Sequence, residues 1–195
     1  MERKAYIKRE SKETSVELKL NIDGQRKISI STGLAFFDHM LELMAFWAGF
    51  DLDLQAKGDL DVDAHHTIED IGICLGQALK SAWGERQGIV RMGWAQVPMD
   101  EALVESVVDV SGRAYFVAKG FELIPPVVFG EEKDVFREFF KSLALSSQIN
   151  LHLIWHYGLN GHHLLEASFK ALGKSLAQAL TITHNQVSST KGCLD

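Results

Sequence analysis

A five-residue word of this 195-residue chain is written twice, and it carries ligand-type side chains, which leaves few folds open. His65-His66-Thr67-Ile68-Glu69 returns as His162-His163-Leu164-Leu165-Glu166, an offset of 97 residues at which Leu75 also meets Leu172, Gly76 meets Gly173 and Leu79 meets Leu176. The duplication therefore covers a helix and not only its ligands. Upstream, an offset of 99 lays Phe50–Leu54 over Ile149–Leu153, both alternating as strands do, and lays the amphipathic segment Leu34–Gly49 over Lys133–Gln148. Phe37 then meets Phe136, Ala45 meets Ala144, and His39 meets Glu138.

Alternating strands precede each amphipathic segment. Val16–Ile22 leads through Asp23-Gly24 into Lys27–Ser31, and Ala102–Val110 leads through Ser111-Gly112 into Ala114–Lys119. Asp-Gly between alternating runs predicts a hairpin, so each pair of runs is expected to be hydrogen-bonded neighbours. Each half reads strands, helix, strand, helix, with half-repeats over residues 1–87 and 88–195 packed together as one functional unit. The simplest packing is an α+β fold with an internal duplication, its helices layered on one face of mainly antiparallel sheets.

On a helix the two histidines of each word diverge by roughly 100° while the glutamate, three and four residues on, shares a face with either. Adjacent imidazoles then serve two ions more readily than one. A donor set of imidazole and carboxylate without thiolate suits Mn, Fe, Zn, Co or Ni rather than Cu(I), Ca or Mg. The candidate ligands are His39, His65, His66, Glu69, Glu138, His162, His163 and Glu166, which divide into two sites of four with room for substrate. His152, His156 and His184 are expected to play ordinary structural or surface roles. The halves must meet to pool their ligands, which favours a symmetric homo-oligomer.

A formal charge of -6 with scattered Lys and Arg argues against a nucleic-acid surface, so an anionic ligand needs local cations. Arg91, Arg113, Lys170 and the tail Ser188–Gly192 are the candidates, although the tail lacks the spacing of a phosphate-binding Walker loop. Two cysteines, Cys74 and Cys193, make no disulfide framework, which with the absence of a signal-like or membrane-spanning run predicts a reducing cytoplasm.

Several motifs together resemble the imidazoleglycerol-phosphate dehydratase family: Phe36-Phe-Asp-His-Met40, Asp61-Val-Asp-Ala-His-His-Thr-Ile-Glu-Asp70, Pro98-Met-Asp-Glu-Ala-Leu103, Asp109-Val-Ser-Gly-Arg113, His162–Ala167, Phe169–Ala171 and Ser189-Thr-Lys-Gly192. They run in order from about Lys8 to the C-terminus. The resemblance implies dehydration of D-erythro-imidazole glycerol phosphate to imidazole acetol phosphate in histidine biosynthesis, with an imidazolate held between two Mn ions in a shell of 24 identical subunits. It implies metal ligation by His39, His65, His66, Glu69, His162, His163 and Glu166, with His66, Glu69, His163 and Glu166 also counted among the catalytic groups. It places the substrate carboxylate at Glu13, the first choice for acid–base work, and the phosphate contacts at Arg91, Arg113, Lys170, Ser189 and Lys191.

Three positions depart from the family pattern. Glu138 stands where many relatives have a metal-binding His, and a carboxylate there keeps a ligand. Leu43 and Trp47 replace a usual Gln and His, which leaves less acid–base equipment on that helix. Two other readings remain open on sequence alone: a metal-loaded, catalytically impaired imidazole-phosphate-binding paralogue, and a dimetal phosphate-ester hydrolase.

Overall fold

A computed structural model describes residues 2–190, so Lys191 and Cys193 lie outside the described residues. The first half contains β1 (Lys4–Glu10), β2 (Thr14–Asn21), β3 (Ile28–Ser31), α1 (Ala35–Ala48), β4 (Asp51–Gly58) and α2 (His65–Trp83). The second repeats the order as β5 (Met92–Met99), β6 (Ala102–Asp109), β7 (Tyr115–Lys119), α3 (Lys133–Ser147), β10 (Asn150–Tyr157) and α4 (Gly161–Leu180). Between β7 and α3 it adds a short hairpin, β8 (Val127–Val128) and β9 (Glu131–Glu132). The α+β class and the duplication are as expected from the sequence.

The hairpin expectation fails in both halves. The strand orders are β1-β2-β4-β3 and β5-β6-β10-β7, so β4 lies between β2 and β3, and β10 between β6 and β7. Each sheet therefore combines antiparallel pairs with one parallel pair, β3 with β4 and β7 with β10. The cause in the first half is local. Asp51, at the start of β4, accepts the backbone N–H groups of Gln25 and Lys27 at 2.7 and 2.9 Å and the Asn21 amide at 3.1 Å. A side chain on Gly24 would strike the Asp51 backbone nitrogen at 2.1 Å, so the Asp23-Gly24 turn wraps around the end of β4 instead of folding β2 onto β3.

Strand alternation sets which face is covered. In β2, Val16, Leu18 and Leu20 are buried and Glu17 and Lys19 exposed, and α2 packs on the buried face of β1 and β2. In the second half α4 packs on β5 and β6. The two helix layers then meet, α1 on α4 and α2 on α3, and one continuous apolar core joins both halves. Glycine allows the close approach: a Cβ on Gly76 would lie 2.6 Å from the Leu143 carbonyl oxygen, and one on Gly173 would lie 2.4 Å from that of Met44. Met44 and Leu143 occupy one internal address, so the two crossings are copies of each other.

Candidate metal centre

Both histidine pairs are set at a helix start by the same device. The Asp63 carboxylate accepts the His65 backbone N–H at 2.8 Å, and the Asn160 side-chain oxygen accepts that of His162 at 2.9 Å, from matching addresses in the two halves. Glu69 and Glu166 follow one turn later, on the face of the first histidine of each pair.

The α1–α4 crossing brings three predicted ligands together. His39, His162 and Glu166 place ligand atoms within 4.8 Å of one another, which is the one such group among the described residues. His162 Nε2 lies 3.0 Å and His39 Nε2 lies 3.6 Å from the same Glu166 oxygen. The other Glu166 oxygen pairs with Lys170. Burial pushes the Glu166 carboxyl up, but Lys170 and His162 outweigh it and hold the group below its ordinary value. Phe36 and Phe129 stack at 4.4 Å and each meets the His162 ring edge-on at 5.3 Å. Phe129 does so from the tip of the β8–β9 turn with φ of 52°, beside Gly130 at 88°, the two left-handed residues that a tight two-residue hairpin requires.

The α2–α3 crossing holds the matching residues more loosely. His65 Nε2 is 3.7 Å from Glu69, and Glu69 also receives the Ser142 hydroxyl at 3.5 Å. Glu138 does not join them, because its carboxylate is bound by Lys141 at 2.7 Å on its own helix.

The second histidine of each pair turns to a carboxylate. His66 Nδ1 is 3.1 Å from Asp59, with Glu13 at 3.9 Å, and His163 Nδ1 is 2.7 Å from Glu101. Both imidazoles hold their proton above the ordinary value, His66 chiefly through the Asp59 bond and His163 chiefly through Glu101. Sequence reasoning missed Asp59 and Glu101 as partners. Glu101 lies inside the Pro98–Leu103 motif and could have been noticed there, whereas nothing in the sequence around Asp59 marks it.

Glu13 sits at the β1–β2 turn beside a cleft of about 380 Å³ lined by Lys12, Glu13, Lys57 and Asp59. A larger groove, about 490 Å³, runs over Tyr6, Lys19 and Asp53 on the outer face of the first sheet and touches none of the candidate ligands. Arg91 is engaged within the chain: its guanidinium grips Asp109 through two nitrogens at 2.7 and 3.0 Å and donates to the Ser188 carbonyl at 2.8 Å. Lys170 is likewise engaged, by Glu166. Arg113 has no carboxylate partner among the described residues, and Ser189 lies in the segment that packs along residues 88–91, ahead of β5. His152 lies on the outer face of β10, His156 bonds Glu105 at 2.8 Å and His184 meets Ser188 at 3.1 Å, none of them at the ligand cluster. Cys74 is buried, and its thiol is pushed up to about 11 by that burial. No helix among the described residues is long and apolar enough to cross a membrane.

The family model for imidazoleglycerol-phosphate dehydratase matches residues 32–176. The chain is 58% identical over 194 residues to the imidazoleglycerol-phosphate dehydratase of Maridesulfovibrio salexigens, covering 100% of this chain and 99% of that protein. It is 46% identical to that of Methanopyrus kandleri, covering 98% and 96%. Among solved structures, the dehydratase from Pyrococcus furiosus in complex with (S)-C348 superposes with a TM-score of 0.84 at 37% identity, covering 96% of this chain and 100% of that one. That from Staphylococcus aureus gives 0.83 at 34%, covering 92% and 99%. With its duplicated fold and its converging His39, His162 and Glu166, the chain belongs to the imidazoleglycerol-phosphate dehydratase family.

Proposed function

We propose that this chain removes water from D-erythro-imidazole glycerol phosphate to give imidazole acetol phosphate, a step of histidine biosynthesis. The observation that carries the reading is the convergence of His39, His162 and Glu166 from two helices of different halves, in a chain of this family. Two imidazoles and a carboxylate fit a borderline divalent ion such as Mn, and His65, Glu69 and, once it exchanges Lys141 for the ion, Glu138 supply donors of the same kind for a second. Held by these residues, such ions would supply positive charge that stabilises electrons moving into the substrate ring.

The side chains do the rest. The hydroxyl leaves the carbon next to the ring, a proton leaves the carbon beyond it, and the resulting enol becomes the ketone. Glu13 takes that proton, since it stands at the cleft with its carboxylate 57% exposed and not committed to a close partner. Arg113, Ser189 and Lys191 hold the phosphate, with Arg91 and Lys170 joining when they exchange Asp109 and Glu166 for it. Trp47, with Lys174 5.0 Å over its ring, offers no proton-transfer group.

Self-association completes the reading, as a homo-oligomer of 24 chains in the cytoplasm with sites at subunit interfaces. It is supported by the outer face of the second sheet, where Trp94, Val107, His152 and Val117 form one cross-strand row beside Met92 and Tyr115. Trp94 is 61% exposed there, an apolar surface of the kind that a partner covers. Incubation of the Mn-loaded protein with the substrate should yield a ketone lighter by one water with its phosphate ester intact. Release of inorganic phosphate, or no conversion by a metal-loaded protein, would refute the assignment.

A further inference from the structure

The β1–β2 and β5–β6 hairpins carry a glutamate at the same turn address, Glu13 just before β2 and Glu101 just before β6, and the two are bound in opposite ways. Glu101 is fully committed. One of its oxygens meets His163 Nδ1 at 2.7 Å, and the other accepts the backbone N–H groups of Leu159 and Asn160 at 3.1 and 2.8 Å. One carboxylate thus joins the hairpin, the loop before α4 and the first turn of α4.

Glu13 escapes that duty because two other acids perform it. His66 Nδ1 is taken by Asp59, and the hairpin is held on α2 by Asp70, which pairs with Arg9 at 3.0 Å and accepts the Thr14 hydroxyl. Neither acid has a counterpart in the second half, where Gly158 stands at the address of Asp59 and Ala167 at that of Asp70. A carboxylate at the Gly158 position would force the buried Leu164 side chain to shift, since even a Cβ would lie 2.5 Å from it.

We infer that Glu101 is a positioning residue for the metal centre: by accepting the Nδ1–H of His163 it fixes that imidazole in the tautomer whose Nε2 keeps its lone pair for an ion. The same turn position in the first half is thereby left as the reactive carboxylate Glu13. A neutral imidazole protonates one nitrogen only, so a carboxylate at Nδ1 decides which nitrogen can act as a ligand. Among the described residues His163 Nε2 has one ion-pair neighbour, the exposed Asp100 at 3.8 Å. The inference rests on the metal-dependent dehydratase reading.

Its test is the Mn affinity of metal-stripped protein, measured by competition with a chromophoric chelator, together with ¹⁵N-histidine NMR of the metal-free form. Glu101→Ala should weaken Mn binding about 10- to 100-fold. Glu101→Gln, whose amide oxygen still accepts the N–H, should recover most of it, and Glu13→Gln should leave it unchanged. In a His163→Ala background Glu101→Ala should cost nothing more. NMR of the wild type should show His163 protonated at Nδ1. A Glu101→Ala protein that binds Mn as tightly as wild type, a loss of equal size without His163, or a His163 protonated at Nε2 would each overturn the inference. Failure of the underlying reading looks different, as a wild-type protein that takes up no Mn at all.

Discussion

In the second half, His162 and the incoming His39 share one oxygen of a glutamate that is 9% exposed, with a lysine on the other oxygen. In the first half, His65 stands 3.7 Å from a more open Glu69, and Glu138, the residue at the address of His39, is turned aside by Lys141. The helices, their capping residues and their glycine crossings are duplicated; the charges around the ligands are not. Lys170 has Ile73 at its first-half address, and Lys141 has Glu42 at its own. Duplication has fixed the backbone that delivers the ligands, and later differences in a few side chains have made one cluster tight and the other loose.

The outer faces of the sheets differ in the same sense. The first presents Lys8, Glu17, Lys19, Asp53 and Gln55 in charged cross-strand rows, and the second presents a row of Trp94, Val107, His152 and Val117 beside one in which Ile154 lies between Glu105 and Lys119. Two copies of one scaffold carry different outer faces, and on the proposal above neighbouring chains cover the second.

The largest effect that would sharpen this comparison is at the hairpin turns. Glu13→Gln should lower kcat by about 10²- to 10⁴-fold, the range for losing a general acid–base group, while the bound metal measured by elemental analysis stays constant. A parallel loss of metal would place Glu13 among the ligands and erase its contrast with Glu101.

The paired lysines come next. Lys170 is 17% exposed against a buried Glu166, so Lys170→Met should destabilise the metal-free protein by about 3 kcal/mol in denaturant unfolding, the cost of stranding a buried charge. Lys141 is 46% exposed, and Lys141→Met should cost under about 1 kcal/mol. Equal costs would mean that the two clusters are equally buried in solution. Gly76→Ala and Gly173→Ala, by contrast, should each cost about 1–3 kcal/mol and match one another, because each adds a methyl against a helix carbonyl at the same crossing.

The smallest effect is in the pH dependence of the metal-free protein. Glu101 is held at about 2 by His163 and by the N–H groups of Asn160 and Leu159, so its contribution to stability is present above its ordinary 4.5 and is lost as pH falls toward 2. His163 is raised above 6.5, chiefly by Glu101, so its contribution is complete below 6.5 and is lost as pH rises through the raised value. Glu101→Gln should therefore reduce the melting temperature most between about pH 4.5 and 6.5, and only slightly, because solvent screens the pair. A uniform reduction from pH 4 to 8 would point to the loop contacts of Glu101 instead.

Much of this was legible in the sequence because duplication converts a weak motif into a register. The Leu34–Gly49 and Lys133–Gln148 segments fold as α1 and α3 within a residue or so at each end, and three of the eight nominated ligands, His39, His162 and Glu166, come together, although the sequence did not reveal which ligands would share a site. The strand order was not legible. An Asp-Gly turn signals a change of direction but not which strand pairs next, and the bonds that settle it come from Asp51, more than twenty residues away. Arg91 and Lys170 were read as phosphate contacts from their charge and from the family resemblance, and their partners Asp109 and Glu166 are supplied by the fold. Glu138 was read as a ligand from its address, and in this structure its carboxylate pairs with Lys141 one turn along its helix.

Calorimetric titration of chelator-stripped protein with Mn addresses the unequal ligand sets most directly. Two classes of site are predicted, with the tighter one abolished by His162→Ala and the weaker one by His65→Ala. A single uptake indifferent to His162, or no uptake of metal, would contradict a pair of metal sites built by unequal copies of one unit.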